Sequence, residues 1–152
     1  MDNGENWQQS VAAIVIKDEK VLLVRHTYGA GKGKLIIPGG YVKNGESPQE
    51  GVKRELLEET GIVINPTEIV GIRFNTHDWY IAFKADYVEG TARSDGNENS
   101  EVVWITINEI KNRDDIPELT KILVISAFES SNNLTYTAYE GNSKYAPYSL
   151  YC

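Results

Sequence analysis

The chain is poor in cysteine, in long apolar runs and in positive charge. One cysteine is present, and it is the last of 152 residues, Cys152. No internal disulfide can form, which fits a reducing compartment. No stretch approaches the ~20 consecutive apolar residues of a membrane span, and the N-terminal MDNGENWQQS lacks the apolar core of a signal peptide. A cytoplasmic protein without a membrane partner is expected. Fifteen Lys and Arg face 22 Asp and Glu, a net charge of −7. Nucleic acid is therefore not an expected partner, because basic side chains supply most of that affinity. The P-loop spacing is also missing: Gly29-Ala-Gly-Lys-Gly-Lys34 has three glycines but not GxxxxGK[ST].

What is present is ordinary for one folded domain. Apolar residues make up 41% and charged residues 24%. A chain of this length buries about 68–70% of its unfolded surface without needing a staple. Residues 1–130 are expected to form a single domain, followed by a tail at 131–152.

The informative stretch is GYVKNGESPQEGVKRELLEETGI, Gly40 to Ile62. Ser47 suits a helix N-cap, Pro48 the first helical position, and Glu50 stands three residues after the cap. Gly61 suits a left-handed C-terminal cap. The helix these signals predict buries a stripe of Val52, Leu56 and Thr60. Glu55, Glu58 and Glu59 share an arc beside it, with Arg54 at the edge. Like charges at i,i+3 and i,i+4 cost roughly 0.2–0.5 kcal/mol per pair. Glu58 and Glu59 also meet the unfavourable end of the helix dipole. A bound hard cation turns both penalties into attraction, since Mg²⁺ takes carboxylates together with substrate phosphates. A solvated acidic face is the alternative.

Gly40, Glu46, Arg54-Glu55-Leu56, Glu58-Glu59 and Gly61-Ile62 are nine specified positions at fixed spacing over 23 residues. This pattern resembles a complete Nudix box, and Ile37-Pro38-Gly39-Gly40 resembles the approach to it. The resemblance implies an α/β fold, the Nudix-type α/β/α sandwich with a mixed β-sheet. It implies Mg²⁺-dependent hydrolysis, with Mn²⁺ as a substitute, of a pyrophosphate bond in a nucleoside diphosphate linked to another group X, by attack of a metal-activated water. It places the metal ligands at Glu55, Glu58 and Glu59, with Gly40 and Glu98 as further candidates. Arg54 orients the cluster and Glu46 braces the loop. Glu98 or Glu101 is expected to add a carboxylate to the catalytic group. Substrate contacts are expected from Arg25, Lys34, Gly39, Gly40 and Tyr80. The alternative is a catalytically idle nucleotide-sensing module, which has no reason to keep the strained acidic cluster. A diphosphate isomerase would want a cysteine near the site, and Cys152 is poorly placed. Gly51 stands where relatives often have Ala.

In chain order, Val11–Ile16 and Val21–Val24 form a hairpin across a polar turn. His26 ends the second strand, where a surface position is expected. Leu35–Ile37 is a strand. Ile62–Ile64 starts an extended segment that Pro66 interrupts, and Ile69–Phe74 resumes it. Trp79–Val88 and Val102–Ile105 are strands, Thr106–Ile110 one helical turn and Leu119–Phe128 a second main helix. Tyr80 stands eighteen residues past Ile62, a spacing that resembles the diadenosine-polyphosphate subgroup, with simple packing of a strand tyrosine as the alternative. Asp78 replaces the proline expected sixteen residues past the box in ADP-ribose hydrolases. Five of nine tyrosines (Tyr136, Tyr139, Tyr145, Tyr148, Tyr151) crowd the tail without helical or strand period. They are expected to cover a groove of their own domain, stack on a nucleobase or join a second subunit as a homodimer.

Overall fold

The computed structural model describes residues 8–129, 134 and 136–152. Most of the polar N-terminus and the start of the Tyr-rich tail lie outside the described residues. Strands β1 (Gln8–Lys17) and β2 (Lys20–His26) form the expected hairpin. Its two-residue turn places Asp18 at φ 51° and Glu19 at φ 63°, the pair of positive φ values that matches the twist of the flanking strands. The two strands pair only beside this turn, at Ile16↔Val21 and Lys17↔Lys20. They then part. Strand β4 (Gly39–Tyr41) takes the freed edge of β1 at Ser10–Ala12. Strands β3 (Leu35–Ile36) and β7 (Asn99–Thr106) flank β2.

The opposite edge of β1 runs parallel to β6 (Asp78–Glu89), which is antiparallel to β5 (Val63–Phe74). The sheet is therefore mixed. Both faces are covered, as the alternation in β1 shows. Val11, Ala13 and Val15 pack with Val52 and Leu56 of helix α1 (Pro48–Thr60), while Ala12 and Ile14 pack with Leu123, Val124 and Ala127 of helix α3 (Glu118–Phe128). A short helix α2 (Ile107–Asn112), capped by Thr106, adds Ile110 to the second layer. Each fully buried Val or Leu stabilises by about 1.5–3 kcal/mol. The expected α/β/α sandwich is what the chain forms.

Helix α1 has the expected bounds. The Glu50 amide donates to Ser47 Oγ at 3.1 Å, and Gly61 closes the helix at φ 75°. Two readings need correction. Pro66 does not break the strand, because β5 continues through it to Phe74. Its second neighbour, β9 (Ser149–Tyr151), pairs only with Ile72–Phe74. Pro66 thus sits where β5 is an edge and needs no N–H. The tail is not aperiodic throughout: β8 (Tyr136–Thr137) and β9 extend the sheet beyond β5, with Leu150 fully buried. Among the described residues, no helix is long and apolar enough to cross a membrane.

Candidate active site

The parting of β1 and β2 leaves a cleft of about 450 Å³ at the glycine loop. Ser10 and Ala12 of β1, Gly39–Tyr41 of β4, His26 at the end of β2, Tyr28 just after it, Glu55, Tyr80 and Glu98 all line it. Gly39 and Gly40 are forced by close approach. A Cβ on Gly39 would lie 2.0 Å from the Val11 carbonyl oxygen, and one on Gly40 would lie 2.5 Å from the Glu55 carboxyl carbon. The strand β4 therefore lies flush on β1, and the Glu55 carboxylate fills the space above Gly40.

Arg54 is the organising cation. Its Nε and Nη2 donate to Glu46 at 3.0 and 2.6 Å, a two-pronged pair. Its Nη1 donates to Glu55 at 2.9 Å and to Glu58 at 3.1 Å, and Nη2 also reaches the Tyr41 carbonyl at 3.1 Å. The guanidinium and the Lys43 amide hold the Glu46 carboxyl down at about 2. Glu46 thus ties the loop to the helix as a permanent anion, and Arg54 itself is pushed further up, chiefly by Glu46.

Glu59 is the deepest carboxylate, with a side chain 2% exposed. The Gly39 amide donates to its Oε2 at 3.0 Å, and Asn99 Nδ2 donates to its backbone carbonyl at 2.9 Å. His26 Nε2 stands 3.7 Å from Glu59 Oε1, too far for a hydrogen bond, and is buried without a partner. Burial pushes the carboxyls of both Glu55 and Glu59 up. Arg54 opposes this at Glu55; His26 and the Gly39 amide oppose it at Glu59. Glu58, by contrast, is 56% exposed.

The expected residues divide clearly. Glu46, Arg54, Glu55 and Glu58 form one ion-paired group, Glu59 stands apart on the Gly39 amide, and Gly39, Gly40, Glu55, Tyr80 and Glu98 line the adjoining cleft. Glu101, Arg25 and Lys34 do not line it. Glu101 faces Arg25 across the β2–β7 register and accepts from its Nε at 2.9 Å. Arg25 Nη1 is spent on the Gly33 carbonyl and on Asp115. Of the two alternatives for a further carboxylate, Glu98 is the one in the cleft. From the glycine loop, Gly29, Ala30 and Gly31 reach the lining, but Lys32 and Lys34 do not.

Sequence reasoning missed Tyr28, Tyr41 and Asn99 and placed His26 at the surface. The ring of His26 stacks under that of Tyr28, with centroids 5.4 Å apart. Among the described side chains, no tail tyrosine lines the cleft: Tyr145 stacks on His77, Tyr139 meets Tyr148 edge-on and Tyr151 meets Phe74. Among the described residues, no three His, Cys, Asp or Glu side chains already form a metal cage. Arg54, the nearest cation, draws Glu55 and Glu58 to itself, while Glu59 turns to Gly39.

Residues 7–123 match the NUDIX domain, more than three quarters of the chain. The chain belongs to the NUDIX family. A MutT-like protein of Streptomyces ambofaciens is 31% identical to this NUDIX chain over 80% of it and 77% of the relative. An ADP-ribose pyrophosphatase of Methanocaldococcus jannaschii is 30% identical over 66% of the chain and 63% of the relative. The MutT protein of Methanosarcina mazei Go1 superposes with a TM-score of 0.67 at 30% identity, covering 80% of this chain and 92% of that one. A MutT NUDIX hydrolase from Burkholderia pseudomallei, at 19% identity and TM-score 0.71, shares the fold over 79% of this chain and 97% of its own. Relatives also include an NAD-capped RNA hydrolase of Vibrio cholerae, 31% identical over 66% of this chain, of whose length the match spans 38%. The expectation that nucleic acid is no partner is therefore not carried forward. The likeness places this NUDIX chain among hydrolases of pyrophosphate bonds in general.

Proposed function

We propose that this chain hydrolyses a diphosphate linkage in a nucleoside diphosphate derivative, using Mg²⁺, or Mn²⁺ in its place, held by Glu55, Glu58 and Glu59. The observation that carries the reading is the buried Glu59 carboxylate and the half-buried Glu55 carboxylate against Gly39 and Gly40 of β4, both pushed up by desolvation. A helix face built only for stability has no use for two anions there. The donors fit a hard cation: all are oxygens, and the missing Cβ of Gly40 lets the Glu55 carboxylate lie directly against β4. The Gly40 carbonyl and Glu98, which faces the same cleft, extend the set.

When bound, the cation screens the diphosphate oxygens and lowers the pKa of a water molecule. The chain's own residues supply the geometry. Arg54 sets the rotamers of Glu55 and Glu58, and Glu46 fixes Arg54. The Gly39 amide and Asn99 fix Glu59. The relatives are named for ADP-ribose, for NAD-capped RNA and, in a mouse protein 35% identical over 64% of this chain and 65% of its own, for an oxidized purine nucleoside triphosphate. A nucleoside with adjoining phosphates is common to these names, and only that is carried to this chain.

The test is an assay of the purified protein with Mg²⁺ against a panel of such nucleotides, followed by ¹⁸O-water labelling of the best substrate. Label in a phosphate product is expected. Label confined to the X group, or a trapped phosphoryl-enzyme, contradicts the mechanism.

A further inference from the structure

The turn between β4 and helix α1 is lightly held. Lys43, Asn44, Gly45 and Glu46 close it with a backbone hydrogen bond from the Glu46 amide to the Lys43 carbonyl at 3.1 Å. Gly45 takes φ 84° at the third position, where a type II turn requires a left-handed residue. Lys43, Asn44 and Gly45 are exposed, and a Cβ built on Gly45 would meet nothing within 4 Å. The turn also walls an open groove of about 380 Å³ beside Gln8 and Gln9, which gives water access to it. Among the described hydrogen bonds, none uses the Gly45 amide or the Asn44 side chain.

The residue that ends the turn is held tightly. The Lys43 amide donates to Glu46 Oε1 at 2.8 Å, and Arg54 grips the same carboxylate at 3.0 and 2.6 Å. A Cβ on Gly51 would lie 3.1 Å from Glu46 Oε1, so the carboxylate rests close against the helix backbone. Arg54 in turn sets Glu55 and Glu58. The seat of Glu46 thus depends on the length of the short turn before it. Asparagine followed by glycine is the chemically weak pair in such a turn. Asparagine is thermolabile, and glycine has no Cβ to keep its nitrogen away from the preceding side-chain amide.

We propose that Asn44 is a site of spontaneous deamidation whose isoaspartyl product unseats Glu46 and turns the acidic site down. The Gly45 nitrogen gives up its proton and bonds to Asn44 Cγ, and the Cγ–Nδ2 bond breaks with release of ammonia. Water then opens the cyclic imide. Opening at Cγ leaves aspartate. Opening at the main-chain carbonyl leaves an isoaspartyl link, in which the chain runs through Cβ and Cγ; no atom is oxidised or reduced. That link adds one carbon, about 1.5 Å, to the chain between Lys43 and Glu46, and draws Glu46 off the Lys43 amide and Arg54. A misplacement of about 1 Å remote from the chemistry can cost about a hundredfold in rate. The modification does not depend on the hydrolase reading above; its effect on turnover does.

The full chain is aged in mildly alkaline buffer, which favours loss of the amide proton, with a mildly acidic sample as control. Peptide mapping by mass spectrometry separates the asparaginyl, aspartyl and isoaspartyl forms at each asparagine, beside Mn²⁺ titration and turnover of the best nucleotide substrate. The peptide carrying Asn44 is expected to convert mainly to the isoaspartyl form. Turnover and Mn²⁺ affinity should fall in step with that fraction, turnover to about a tenth or less of the fresh value. Asn44→Gln should age without the loss, although Asn3-Gly4, the other such pair in the sequence, still converts. Asn44→Asp, made directly, adds the charge without the extra carbon. It should keep turnover within about twofold, since an exposed charge is felt weakly through water. An intact Asn44 in aged protein whose Asn3 is converted overturns the site. Full conversion with unchanged turnover and Mn²⁺ affinity overturns the link to Glu46, as does an equal loss in aged Asn44→Gln. If no nucleotide is hydrolysed, the hydrolase reading fails while the mapping still decides the modification.

Discussion

Gly39 and Gly40 are neighbours in sequence, yet their missing side chains serve different ends. A Cβ on Gly39 would strike the β1 backbone, whereas the nearest atoms to one on Gly40 are those of the Glu55 carboxylate. Overpacking against backbone costs typically about 1–3 kcal/mol, so Gly39→Ala should lower the melting temperature by several degrees. Gly40→Ala should leave melting within about 4 °C of wild type but cut turnover at least about tenfold and weaken Mn²⁺ binding. Melting curves and Mn²⁺ titration check both, and a Gly40→Ala variant that binds Mn²⁺ and turns over like wild type contradicts the placement of Glu55. Glu59 gives a pH signature. Burial makes its folded carboxyl hold a proton more tightly than the unfolded chain does. The stability it contributes is therefore present at low pH and lost as the pH rises through the folded value. In EDTA, Glu59→Gln escapes that loss, so its melting advantage over wild type should grow as the pH rises from about 4, the unfolded carboxyl value, through the folded value. A constant difference across that range contradicts the assignment.

Helix α1 was legible to the residue because every boundary signal is local: Ser47, Pro48 and Gly61 act through their own backbone. Elements decided by distant pairing were not legible. Gly39-Gly40-Tyr41 carries no strand pattern of its own, but the bare edge of β1 makes it a strand. Pro66 reads as a break, but it costs nothing on the unpaired side of β5. Glu101 reads as a second candidate carboxylate, but the β2–β7 register hands it to Arg25. Strand β9 is three residues long and exists because β5 offers an edge and the core a socket for Leu150. Leu150→Ala should cost about 2–5 kcal/mol and lower the melting temperature by roughly 5–15 °C. A drop below about 2 °C would mean that the end of the chain does not close the sheet.

At the scale of the molecule, one topological event makes the site. The hairpin opens after two paired positions, β4 fills the gap on β1, and the cleft forms where the strands separate. Helix α1 crosses one face and brings its acidic arc to that opening, while a row of Tyr41, Ser10 and Tyr80 lies on β4, β1 and β6 beside it. The acidic arc could be read from periodicity, but the row could not, since it joins strands more than thirty residues apart in sequence. The role proposed for this arc is metal-dependent hydrolysis rather than maintenance of the fold. Glu58 tests it most directly, being exposed and linked only to Arg54 among the described hydrogen bonds. Removing such an exposed pair shifts stability by no more than about 1 kcal/mol. The decisive measurement is turnover of the best nucleotide substrate by wild type and Glu58→Gln, each with Mg²⁺ and with EDTA, beside their melting curves. Turnover should fall by about two orders of magnitude or more in the variant and in EDTA, with melting nearly unchanged in the variant. Full turnover in either condition contradicts that role.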